Sequence, residues 1–211
     1  FTTFYRELVK EDERYTELSE AVIEVLKAPY DNEVANDHVK FVRGRKSREP
    51  NHFSEVRFKL KGGPYYITRL DVVKTNETFI NPEFRNLYKY SYKGTQLVDD
   101  RKTFVLAFEP ISNVRDFLYE GQIFIDSETF ALVRAEFGLT KYGLREARNV
   151  IIEKQPKTLR ATLSEVRYVV QYEQDATFWH LKSAQTSMKI RLTDREKKQR
   201  TRFHSIAEMV T

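Results

Sequence analysis

The 211-residue chain has no cysteine, two methionines, one tryptophan, six prolines and seven glycines. Without cysteine it can form no disulfide, no thiolate metal site and no sulfur nucleophile. Cysteine-free chains occur in the cytoplasm and the periplasm alike, so this absence does not choose a compartment. No apolar run approaches the roughly 20 residues of a membrane-crossing helix. The longest uncharged one is Phe104-Val-Leu-Ala-Phe108. There is no internal repeat, low-complexity tract or Pro/Gly-rich linker. The opening Phe1-Thr-Thr-Phe-Tyr-Arg-Glu7 has no secretory pattern, so any signal peptide is expected to lie outside this chain. Catalytic signatures are missing too. No Gly-x-Ser-x-Gly elbow, His-Glu-x-x-His pair, phosphate-cradling glycine loop or dinucleotide fingerprint occurs.

What is present is charge and aromatic surface. Lys and Arg number 36 against 31 Asp and Glu, a net charge of +5. Charged residues make up 32% of the chain, above the ~25% of an average domain. Fifteen Phe and twelve Tyr supply burial area that a disordered chain lacks.

Period-2 alternation dominates and reads as strand. Tyr88, Tyr90 and Tyr92 share one face, as do Phe104, Leu106 and Phe108. Gly121, Ile123 and Ile125 follow in Tyr119–Asp126. After Asp126-Ser-Glu-Thr129, Ala131, Val133, Ala135 and Phe137 form the next face. A four-residue polar loop joins only neighbouring strands, so this is an antiparallel hairpin. Val166, Tyr168, Val170 and Tyr172 begin a second hairpin, which turns at Gln174–Thr177 and returns through Trp179, Leu181 and Ser183. Ala184, Thr186, Met188, Ile190 and Leu192 make a further apolar face. Thr193–Arg200 is a charged turn, and Thr201–Met209 a last strand. Tyr15–Leu26 fits either period, and its β-branched residues favour strand.

Helix is scarcer. Pro64–Lys74 reads as a short helix with proline in its first turn, Asn81-Pro82-Glu83 as a capped single turn, and Lys141–Lys157 as a helix stopped by Pro156. The expected fold is therefore α+β and mostly antiparallel. It is a curved meander sheet or half-barrel wrapping one or two short helices, with residues 1–211 forming a single domain excised from a longer chain. So long an aromatic face needs a cover. A cover this small leaves either an apolar concavity or an interior filled by side chains.

His52-Phe-Ser-Glu55 has a zinc-ligand spacing, and His180 is the distant third candidate. Two residues in a highly charged chain match such a spacing by chance far more readily than by function. Asp99-Asp100 reads as a solvated turn rather than an acid–base pair, and Asp126 as a hairpin corner bonded to its own backbone. The basic clusters Arg43–Arg48 and Arg191–Arg202 are diluted by acids and lack an RNA-stacking strand, which argues against nucleic acid. Anionic lipid headgroups suit them better.

Several segments taken together resemble a known group. They are Phe4-Tyr-Arg-Glu7, Leu18-Ser-Glu-Ala-Val22, Lys27-Ala-Pro-Tyr30, Val39–Ser47, Phe108-Glu-Pro110, Tyr119–Asp126 and Ala131-Leu-Val-Arg134. They resemble envelope proteins of Bacteroidetes-type bacteria, in which such a domain follows a carboxypeptidase-regulatory-like β-sandwich. The Gly121-x-Ile-x-Ile-Asp126 hairpin is also similar to that of LolA/LolB-type lipoprotein carriers, half-barrels closed by helices. The resemblance implies a periplasmic or outer-membrane-associated location, no catalytic residues and no cofactor. Three readings follow. The first is a non-enzymatic envelope domain binding an apolar ligand, lipid or partner segment. Its ligand-facing candidates are Phe104, Leu106, Phe108, Ile123, Ile125, Tyr168 and Val170. The second is a structural or interaction module of a larger outer-membrane-associated protein, and the third a zinc-dependent hydrolase using His52 and Glu55.

Overall fold

The structure, a computed structural model, describes residues 1–30, 37–48, 58–111, 118–176 and 178–211. His52 and Glu55 lie outside the described residues.

Ten strands form one open antiparallel sheet. They are β1 (Thr2–Glu11), β2 (Arg14–Leu26), β3 (His38–Arg48), β5 (Tyr88–Val98), β6 (Arg101–Pro110), β7 (Tyr119–Asp126), β8 (Leu132–Leu139), β10 (Leu159–Asp175), β11 (Phe178–Asp194) and β12 (Arg200–Val210). Two short strands, β4 (Lys59–Leu60) and β9 (Ile152–Lys154), pair with each other apart from it. Across the large sheet the order is β3-β2-β1-β12-β11-β10-β8-β7-β6-β5. Every neighbour but one is the next strand of this sheet along the chain, with β8 and β10 joined through the long connection of residues 140–158. The exception is β1 against β12, which joins the two ends of the chain in mid-sheet. The predicted α+β, mostly antiparallel architecture is thus present, as an open sheet whose edge strands are β3 and β5.

One face of the sheet is covered by the chain itself. The segment from Phe58 to Leu87 crosses it with Ile67, Val72 and Phe79 buried beneath. Opposite them, cross-strand neighbours run in a continuous row. Leu106, Ile123, Ala135, Val170, Ala184, Met209, Tyr5 and Ala21 follow one another from β6 to β2. Further along β10 and β11, Leu159, Ala161, Leu163, Ile190 and Leu192 form a second cluster with Phe58, Ala147 and Ile151. Such burial supplies most of the folding drive, at about 25 cal/mol per Å² of apolar surface.

Three sequence expectations change. The Pro64–Lys74 helix ends at Thr68. Beyond it the Asp71 carbonyl accepts from the Thr75 amide and hydroxyl, so local side-chain bonding and the β-branched Val72-Val73 pair win over helix. The Lys141–Lys157 helix splits into Lys141–Glu146 and Arg148–Ile151, after which Ile152–Lys154 is strand β9. Val133 leaves the face of Ala135 and Phe137. It has no partner between the pairs Phe124↔Arg134 and Ile125↔Leu132, and this bulge turns it towards Val98, Val105 and Phe124 on the outer face. The ambiguous Tyr15–Leu26 is strand, and Asn81 does cap its turn, its side chain accepting from the Glu83 amide at 2.9 Å.

Candidate binding face

Period-2 geometry puts all seven predicted ligand-facing residues on the covered face. The cover divides them. Phe108 and Val170 are fully buried and Ile123 nearly so, while Tyr168 packs against the same cluster. Above them Phe79 stacks on Phe108, with centroids 4.5 Å apart and planes at 9°, and meets Phe137 at 4.8 Å. Phe137 in turn stacks on Tyr168 at 5.1 Å. Burial, followed by the nearby Glu77 carboxylate, pushes the Tyr168 hydroxyl up to about 12. Here the protein's own side chains fill the space.

Phe104, Leu106 and Ile125 lie towards the β5–β6 and β7–β8 turns, where the cover thins out. They are only half-buried. Along β5 the exposure of the covered-face residues climbs in order: Tyr88 5%, Tyr90 38%, Tyr92 60% and Leu97 68%. The bulge at Lys93-Gly94 keeps Tyr92 and Leu97 on the same side, and Gly94 supplies the positive φ of 102° that the bulge needs. Phe104 has Tyr92 on one side and Phe130 on the other, each with its ring centroid at 6.4 Å. Phe130 is 72% exposed and left-handed, with φ of 57°. That conformation costs a non-glycine residue about 1–2 kcal/mol. A bulky aromatic held this way in solvent is an unusual choice for a turn.

The turn presenting Phe130 is firmly built. Asp126 accepts from the amides of Glu128 at 2.9 Å and Thr129 at 2.8 Å, and pairs with Arg101 at 3.3 Å. Burial works against the ionised form, but these bonds outweigh it and hold Asp126 below the usual carboxylate range. The corner made by Tyr92, Leu97, Phe104, Leu106, Ile125 and Phe130 is therefore an apolar patch continuous with the core, set on a rigid frame. Alternation exposed its floor. It gave no sign of Phe130, because a turn residue has no periodicity.

The cover is pinned at its far side by a buried polar cluster. Asp71, 1% exposed, accepts from Lys27 Nζ at 2.8 Å, the Tyr30 hydroxyl at 2.7 Å and the Tyr172 hydroxyl at 2.9 Å. Lys27 also donates to Asp37 at 2.9 Å. Burial and the Asp71 charge raise the Tyr172 hydroxyl well above its ordinary value. Sequence periodicity had no means of locating this cluster.

At the opposite end of the covered face, β1, β2 and β3 enclose a groove of about 540 Å³ against Phe58–Pro64. Its lining mixes Tyr5, Val9 and Phe203 with Glu7, Glu17, Lys46 and Arg48, and Glu17 already pairs with Lys46 and Arg48. Among the described residues no three His, Cys, Asp or Glu gather as a metal site. His180 pairs with Glu173 at 3.3 Å and stacks on Phe1. Asp99 and Asp100 occupy the β5–β6 turn, and Asp99 holds Lys182 at 2.8 Å.

No protein-family model and no curated protein matches the sequence. Solved structures align along its length at low similarity. A domain named for outer membrane lipoprotein sorting, from Vibrio parahaemolyticus, is 12% identical with a TM-score of 0.31, over 100% of this chain and 83% of that one. A DUF1329 family protein from Desulfovibrio piger is 9% identical with a TM-score of 0.28, over 100% and 84%. A chain of the Pseudomonas aeruginosa MucA/MucB complex is 11% identical with a TM-score of 0.25, over 98% and 87%. Scores this low fall short of a shared fold, so no function transfers from these proteins to this chain. These structures lend no support to the Bacteroidetes-type and carboxypeptidase-regulatory-like resemblance.

Proposed function

We propose that the chain is a non-enzymatic binding module of the bacterial envelope. It holds an apolar ligand, an acyl chain in the first instance, on the open corner of its covered face. The single observation behind this reading is that the apolar core runs out into solvent there. Phe104, Leu106 and Ile125 form the floor, and Tyr92, Leu97 and Phe130 stand up from it with more than half of their surface wet. Burying such surface is favourable in proportion to its area. Scattered exposed apolar residues are ordinary, but a contiguous patch continuous with the core marks an interaction site. The left-handed Phe130 supports the same reading, since such strain tends to persist where a residue is kept for use.

Phe108, Ile123, Tyr168 and Val170 then act as the fixed wall against which the ligand's buried end rests. The envelope location rests on the sequence resemblance. No helix among the described residues is long and apolar enough to cross a membrane.

The test is native mass spectrometry before and after organic delipidation, with palmitate as the added probe. An adduct that vanishes on delipidation and returns with palmitate supports the reading. An unchanged apo mass in every condition refutes it. A patch of this kind would also receive an apolar segment of a partner protein. In that case palmitate fails to bind, while Phe130→Asp still abolishes capture of the partner.

A further inference from the structure

The outer face of the sheet, at the end away from the apolar corner, carries an arrangement of arginines that the binding reading leaves unused. Across β10, β11 and β12, Arg160, Thr193 and Arg200 are successive cross-strand neighbours, and so are Thr162, Arg191 and Arg202 one row along. All four arginines are exposed. Arg191 and Arg202 face each other directly, and like charges so placed are destabilising. Arg160, Arg191 and Arg200 have no acid within ion-pair distance among the described residues, and Arg202 has only Asp12 at 3.8 Å.

The surroundings do little to neutralise them. The next row is Glu165, Lys189, His204 and Lys10, in which Glu165 is taken up by Lys189 at 3.1 Å and Arg167 at 3.3 Å. The His204 imidazole is pulled below its ordinary value, by burial first and then by Lys189 and Lys10. The adjoining β11–β12 turn adds Arg195 and Lys198 beside the exposed Glu196. Asp194 is buried, with its carboxylate bonded to the amides of Glu196 and Lys197. The Arg195 amide donates to the Thr158 carbonyl at 2.9 Å, which ties the turn to the start of β10.

We propose that this outer face docks on the phosphates of an anionic phospholipid surface, with Arg160, Arg191, Arg200 and Arg202 as the contacts. A guanidinium matches a phosphate in bidentate geometry, and interleaved Thr162 and Thr193 add hydroxyl donors. The strands present the four arginines on one face of the sheet, which suits a headgroup layer. Single-stranded nucleic acid would want aromatic faces for its bases. Tyr15 lies under Lys10 Nζ at 4.3 Å, and Phe203, beside Arg202, packs on Phe58 of the covered side.

The test is flotation of the whole chain with vesicles of phosphatidylcholine alone and of phosphatidylcholine with phosphatidylglycerol, at low and physiological salt. The chain floats with the anionic vesicles only, and less so as salt rises. Replacing Arg160, Arg191 and Arg200 together by Gln weakens partition roughly a hundred-fold, at about five-fold per basic residue near a charged bilayer. A charge-matched variant with Arg85→Gln, Lys89→Gln and Lys93→Gln binds as the parent does. Equal losses in both variants overturn the proposal, as does an unaffected arginine variant. Tighter binding to an oligonucleotide than to vesicles at equal phosphate overturns it in favour of nucleic acid. Inorganic phosphate that abolishes flotation at low millimolar concentration overturns it in favour of a free-anion site. None of these outcomes depends on whether the apolar corner holds palmitate.

Discussion

Replacing Asp71 by Asn keeps the shape and removes the charge that pins the cover to the sheet. The carboxylate is 1% exposed and accepts from Lys27, Tyr30 and Tyr172 at 2.7–2.9 Å. Removing one partner of a buried ion pair costs about 3–5 kcal/mol, because the other charge is left uncompensated. Lys27 retains Asp37 at 2.9 Å, and the Asn oxygen still accepts one hydroxyl, so the lower end applies. The expected loss is about 3 kcal/mol. In a chain of this length that lowers Tm by about 6–12 °C. Thermal unfolding at neutral pH by far-ultraviolet circular dichroism measures it. The Lys27→Met variant and the double variant complete a cycle, in which the double loses clearly less than the two singles added together. A loss under about 1 kcal/mol for Asp71→Asn, or strict additivity in the cycle, would show that Asp71 does not hold the cover.

Two further outcomes follow from the same geometry. A Cβ on Gly121 would sit 2.1 Å from the Glu136 carbonyl and 2.7 Å from the Phe137 Cα, both backbone atoms. Gly121→Ala therefore destabilises by about 1–3 kcal/mol, the usual cost of overpacking, and urea unfolding at neutral pH reads it directly. The pH response has two opposing parts. Asp126, Asp37 and Asp99 titrate below their ordinary values in the folded chain, so the stability they contribute is present above the unfolded carboxylate range and lost as pH falls through their lowered values. Glu77 is raised by burial, so the folded state prefers its proton and loses that stability as pH rises through the raised value. Glu77→Gln is thus more stable than the parent near pH 7, and the gap closes towards pH 4; an unchanged gap across that range would contradict the assignment.

Strands were legible where alternation sets one apolar face against the core. Tyr88, Tyr90 and Tyr92 in β5 and Val166 to Tyr172 in β10 share a face in the structure as their spacing requires. The phase change between Ser183 and Ala184 was visible as well, and its cause is a bulge. Lys182 has no partner between Gln171↔Ser183 and Tyr172↔Leu181, which brings Leu181 and Ala184 to the same buried side. The cover was not legible. Residues 69–80 are turns held by Asp71, Thr75 and their neighbours, and such bonding has no period to detect. Nor was the β1–β12 pairing, a contact between the two ends of the chain that no local pattern encodes. The arginine rows needed that pairing order too, since Arg160, Arg191 and Arg202 become neighbours only once β10, β11 and β12 are set side by side.

An acyl chain bound at the corner around Phe104 makes direct demands on the residues that stand there. Phe130, Leu97 and Tyr92 are exposed by 72%, 68% and 60%, so replacing each by Asp leaves the fold intact. Palmitate binding to the parent and to the Tyr92→Asp, Leu97→Asp and Phe130→Asp variants, measured by native mass spectrometry, is the most direct test. A single palmitate adduct on the parent that is lost from all three correctly folded variants is the predicted result. An adduct that survives in all three would place the ligand elsewhere and contradict the claim.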